Sequence, residues 1–184
     1  MFRLTRRSRH ARTITRIHGE IVAATRQPDL YLKFGVADSF EGRFELLTLH
    51  TAIVLRRLQQ LPNPALVRAQ ELADSVFAGL EAAMRELGVG DSVIPKRMGR
   101  LLEAFSGRMR AYILALDADG PELAQALARN VLGGQGDGVD LARYARAFAQ
   151  NLAGADLPRI ETVSLPVPAP SDFSAPPATT GPVS

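Results

Sequence analysis

FGVADSFEGRFELLTLH, Phe34 to His50, packs a tight turn, a helix start and alternating charges into one short segment. Gly35 relieves the steric limits where the chain turns. Asp38 stands three residues before Glu41, the spacing at which a side-chain oxygen and a carboxylate reciprocally satisfy exposed N–H groups, so a helix is predicted to begin near Ser39. Arg43 falls in the first turns of that helix, where the positive end of the macrodipole disfavours a cation. An acidic partner is therefore expected to face it, with Asp38, Glu41 and Asp91 as candidates.

Beyond this stretch the pattern remains helical. The segment from Ser39 to about Leu61 carries Phe44, Leu47, Thr51, Val54, Leu55 and Leu58 as an apolar stripe. Pro62-Asn63-Pro64 punctuates the chain, and a second long stripe runs from Leu66 to Leu87, ended by Gly88 in a left-handed C′ position. Asp91 or Ser92 is expected to cap the next helix, which places Lys96 and Arg97 in its early turns. Arg43, Glu86 and Asp91 are expected to form one ion network between the two helix corners, the alternative being solvated cations. Further helices are predicted through Leu101–Leu116, Glu122–Leu132 and Leu141–Leu152. The glycine-rich run 133–138 follows a helix and lacks the Lys-Ser/Thr ending of a phosphate loop, so it reads as a flexible connector.

The fold class is all-α: a single helical-bundle domain of about six helices. Its expected boundaries are a basic N-terminal arm at 1–12, a helical domain at 13–156 and a Pro-rich disordered tail at 157–184. Seven of the twelve prolines lie in that tail, a density expected to exclude helix and strand. Residues Met1 to His18, the arm and the start of the domain, carry Arg3, Arg6, Arg7, Arg9, Arg12 and Arg16 and no acid, although the net charge of the whole chain is only +3. From about Arg9 this segment becomes amphipathic through Ile14, Ile17 and Ile21, so these arginines are candidates for contact with an anionic membrane surface or with ribosomal RNA. The plain alternative is a solvated start to a core helix.

Composition narrows the chemistry. With 46% hydrophobic and 22% charged residues the chain reads as globular, and the lack of cysteine removes disulfides and thiolate metal sites. His10, His18 and His50 lie on separate segments, so neither a metal nor a cofactor is expected. No apolar run approaches the roughly 20 residues that cross a bilayer. With no apolar core of a secretory signal, the expected location is cytoplasmic, on the cytoplasmic face of the inner membrane if peripheral. Glu41, Glu45 and His50 come closest to a catalytic set, but their spacing fits no zinc-helix pattern, and no enzyme is expected. The plain reading of His50 is a histidine hydrogen-bonded inside the bundle.

Three motifs carry a resemblance. Gly35-Val36-x-Asp38 with Glu41-Gly42-Arg43-Phe44-Glu45-Leu46 and Leu49-His50, then Arg85-Glu86-Leu87-Gly88-Val89-Gly90-Asp91 with Pro95 and Met98, then Gly107-Arg108 followed by Tyr112, together resemble the ubiquinol–cytochrome c chaperones. The third departs from the family pattern, having Ser106 where an aromatic usually precedes the glycine. Arg108 and Tyr112, four apart, are expected to stack.

The resemblance implies an assembly factor of the cytochrome bc1 complex that holds newly synthesised cytochrome b, near ribosome or membrane, until haem insertion proceeds. It implies no small-molecule substrate, and leaves open whether a small partner subunit is required, as in mitochondrial members. On that reading an apolar groove clasps a hydrophobic helix of the client, with Phe40, Leu46, Met84, Met98 and Met109 as candidate lining. Each of these taken singly reads as a core position. The readings that compete are an RNA- or ribosome-associated adaptor acting through the arginine-rich arm and, more remotely, a small enzyme using His50.

Overall fold

The computed structural model describes residues 2–173, with side chains from residue 10 onward. Within them the chain forms α1 (Phe2–Thr25), α2 (Pro28–Leu32), α3 (Phe40–Gln59), α4 (Ala65–Glu86), α5 (Ile94–Asp117), α6 (Glu122–Asn130), α7 (Val139–Ala153) and α8 (Leu157–Thr162), then a 3-10 turn at Pro170–Asp172. No strand is present among the described residues.

The third helix is the axis of the bundle. It packs against α1, α4, α5 and α7 at once. Residues 44–55 carry only one acid and one histidine, so the helix is buried nearly all round rather than along one stripe: Leu46, Leu49, Ala52 and Val54 are fully enclosed, together with Thr48, His50 and Thr51. Its start lies where expected, but the cap is Ser39, whose Oγ accepts from the Gly42 N–H at 3.1 Å. Asp38 is thereby left to pair with Arg43. Gly42 is required by closeness, because a Cβ there would collide with the Ala37 carbonyl oxygen.

At its far end α4 closes as a Schellman motif. Gly88 takes φ 75°, its N–H donates to Arg85 O at 3.0 Å, and Val89 N–H donates to Met84 O at 3.0 Å. The fifth helix starts at Ile94 with Val93 as cap residue and no side-chain cap, so neither Asp91 nor Ser92 takes that role.

The expected boundary at residue 157 moves. Leu157–Thr162 is helical, capped by Asp156 through the Arg159 N–H, and Ile160 and Leu165 are buried. Side chains on earlier helices hold this segment to the bundle. Arg16 donates to the carbonyls of Ile160 (2.6 Å) and Val163 (3.1 Å), Glu20 accepts from the Leu165 N–H (2.8 Å), and the buried Arg68 pairs with Glu161 (2.8 Å). Arg57 reaches Ala155 O at 2.8 Å, and Phe173 rests edge-on against Tyr144. Proline density here marks an extended strap whose backbone groups are satisfied by side chains of other helices. Residues 174–184, the rest of the expected disordered tail, lie outside the described residues.

Candidate functional site

The start of α3, the end of α4 and the C-terminal part of α1 enclose an open groove of about 620 Å³. Its apolar lining comes from Val22, Phe40, Phe44, Leu47, Leu80 and Leu87. Its polar lining comes from His18, Arg26, Asp38, Arg43 and Glu86. Local chemistry explains the shape. Gly79 lets α1 approach α4 closely, since a Cβ there would sit 2.7 Å from His18 Cε1. The His18 Nδ1 lies 2.9 Å from Ser75 Oγ, and burial holds the imidazole below its ordinary pKa, so the groove carries no extra cation near neutrality.

Five motif residues, Asp38, Arg43, Phe44, Glu86 and Leu87, line the groove, while Gly35 and Gly88, each at φ 75°, shape the loops beside it. The expected single ion network is instead two separate pairs. Arg43 bonds Asp38 at 2.7 Å, whereas Arg85 bonds Glu81 at 2.6 Å and faces Asp91 at 3.7 Å. Glu86 has no ion-pair partner among the described residues, and Arg43 is taken by Asp38. Glu41 and Pro95 are exposed and outside the groove.

The client-facing candidates divide. Phe40 lines the groove; Leu46 and Met84 are 0% and 2% exposed, which removes them from any surface. Met98 and Met109 are half-buried against the core and do not reach the groove. Leu47 and Leu87 join Phe40 instead. The amphipathic spacing could have pointed to Leu87, the last apolar residue before Gly88, which is 68% exposed.

Of the other motif residues, Glu45, His50 and Tyr112 are buried polar side chains, and Arg108 is partly buried. His50 Nδ1 lies 2.7 Å from Leu46 O, and His50 Nε2 lies 2.7 Å from Tyr144 Oη. A carbonyl only accepts, so Nδ1 carries the proton and Nε2 accepts from the tyrosine O–H. Enclosure without a counter-charge pushes the imidazole down to about 4, so it is neutral at pH 7. Tyr144 was not legible as its partner, because 94 residues separate the two.

Beside this pair, Glu45 and Arg108 form an ion pair at 2.6 Å between α3 and α5, with the fully buried Tyr112 next to them. Loss of water pushes Glu45 up to about 7, a rise that Arg108 only partly offsets. Arg108 is thus committed to a helix-to-helix contact instead of the expected stacking on Tyr112. Gly107 is exposed on the far side of the same helix.

Of the arm, Arg12 is exposed, and Arg16 is occupied by Glu20 and the two strap carbonyls, so Arg16 is a structural clamp. Arg3, Arg6, Arg7 and Arg9 lie on α1 with side chains outside the described residues. No cluster of His, Asp or Glu suited to a metal occurs among the described residues, and no helix among them is long and apolar enough to cross a membrane.

The described residues thus form an all-helical bundle with an apolar groove rimmed by charges. The ubiquinol-cytochrome C chaperone profile matches residues 32–163. The crystal structure of the Cbp3 homolog from Brucella abortus is similar to it at 34% identity and a TM-score of 0.77, over 89% of this chain and 95% of that one. The chain belongs to the ubiquinol-cytochrome C chaperone family. No curated protein matches closely enough to add a relative.

Proposed function

We propose that this protein is a non-enzymic assembly chaperone of the cytochrome bc1 complex, and that its groove between α1, α3 and α4 receives newly made cytochrome b. The observation that carries the reading is the coincidence of motif and surface: Asp38, Arg43, Phe44, Glu86 and Leu87, from two separate motifs, line one groove.

A volume of about 620 Å³ suits a few anchoring side chains, not a whole helix, so the client lies along the opening and inserts aliphatic or aromatic residues. Phe40, Leu47 and Leu87 supply the apolar contact. Arg43 and Glu86, on the rim, would meet polar groups of the client beside the inserted side chains.

Photo-crosslinking in the native cell, with probes at Phe40 and Leu87, tests this. Capture of cytochrome b at both sites, and none at a probe on Arg143, an exposed residue of α7 outside the groove, is the expected result. Capture of ribosomal protein or RNA alone, with normal bc1 levels in a deletion strain, would replace the chaperone by a ribosome-associated adaptor.

A further inference from the structure

The fifth helix packs against α3, α4 and α6 through Phe105, Tyr112 and Ala115, and leaves its other face bare. That face carries Lys96, Arg97, Arg100 and Arg110, all exposed. None has an ion-pair partner among the described residues, in contrast to Arg16, Arg43, Arg56, Arg68 and Arg85, all of which are paired. The single acid among them is Glu103. Asp117 and Asp91, at the two ends of the helix, face arginines of other helices, Arg56 and Arg85.

At about 100° per residue the four cations fall within an arc of roughly 140°, and at about 1.5 Å per residue they span some 21 Å of helix. They form a line of charge along one side. Gly99 and Gly107 lie between them along the helix, and Glu103 is the one long side chain of opposite charge on the same face. Leu114, 62% exposed, sits within the line; Leu102 (50%) flanks it and Val93 (43%) precedes it.

We infer that this face of α5 is a docking surface for an anionic phospholipid bilayer, lying in the plane of the headgroups. Aliphatic side chains interleaved with unpaired cations match an interface that is negatively charged above and hydrocarbon below. RNA fits less well, because single strands are held by stacking on exposed aromatics and the aromatic residues of α5, Phe105 and Tyr112, are buried. The surface is separate from the client groove, which α5 does not line. It is also separate from the arginine-rich start of α1.

The test is sedimentation of the full-length protein with vesicles of phosphatidylglycerol and phosphatidylcholine, at low salt and at about 0.3 M salt. The wild type is expected to bind the mixed vesicles, to ignore pure phosphatidylcholine, and to weaken with salt. The triple variant Arg97→Gln, Arg100→Gln, Arg110→Gln should lose about a hundredfold in affinity, taking each cation at its usual worth near a charged surface. Leu102→Ser with Leu114→Ser should lose binding at both salt concentrations. Both variants alter exposed side chains outside the core and the groove, so an unchanged thermal midpoint and unchanged crosslinking at Phe40 are expected alongside. Vesicle binding that survives both variants, or that is lost only when Arg3, Arg6, Arg7 and Arg9 become Gln, overturns the inference. So does preferential binding of single-stranded RNA that the triple variant abolishes while vesicles go unbound.

Discussion

His50 and Glu45 stand five residues apart on one helix, and burial moves them in opposite directions. His50 is held at about 4 and so resists protonation in the folded state; its contribution is present above pH 6.5 and is lost as pH falls toward 4. Glu45 is raised to about 7 and so retains a proton; its contribution is present below pH 4.5 and is lost as pH rises toward 7. Each changes stability by up to about 1.4 kcal/mol per pH unit, with opposite sign. Between pH 4.5 and 6.5 the two nearly cancel. The wild type is therefore expected to show a flat stability in that window, and Glu45→Gln a rise with pH, read from urea midpoints. Tyr144→Phe leaves the buried His50 Nε2 without its donor and should cost about 1–3 kcal/mol at pH 7. The sequence alone places His50 inside the bundle, since apolar neighbours surround it on the helical wheel. Its partner and the Glu45–Arg108 pair depend on helix packing over long sequence separations, which periodicity does not encode.

Among the helices, the punctuation that sequence displays is reliable where backbone geometry demands a residue. Gly88 at a left-handed C′ and the start of α3 both fall as expected. Gly42→Ala should destabilise α3 by forcing its start away from Ala37, and should lower the thermal midpoint more than Gly99→Ala, which meets open space. Side-chain choice within a cap is less legible: Asp38 and Ser39 are both good caps, and Arg43 decides between them by taking the aspartate. The strap after α7 was hidden for another reason. Proline signals that a segment cannot pair in a sheet or extend a helix, yet it says nothing about acceptance of its carbonyls by distant arginines. Arg16→Ala with Arg68→Ala should release residues 155–173. Faster hydrogen exchange at Ile160 and Leu165, with protection retained in α3, is the expected reading.

On the scale of the molecule, one buried helix supports two different outer surfaces. The groove lies where α1 and α4 meet the start of α3, and the basic line runs along α5 on the outside of the bundle. Phe40→Ser with Leu87→Ser should reduce client capture at least tenfold while shifting the thermal midpoint little, because Leu87 is exposed and Phe40 only partly enclosed. The all-α class was legible from repeated stripes and helix stops. Which stripe is core and which faces a partner was not, because Leu46 and Phe40 look alike until the neighbours of α3 are known.

The strap also sets a schedule. Glu20 and the Leu165 N–H that it holds are 145 residues apart, so α1 leaves the ribosome long before its clamp has anything to close on. At translation rates of about 5–20 residues per second, Arg16 and Glu20 wait roughly 7–30 seconds for the segment that satisfies them. During that interval the first helix has α3 and α4 to pack against but no lock. A segment made late in synthesis thus fastens a helix made early.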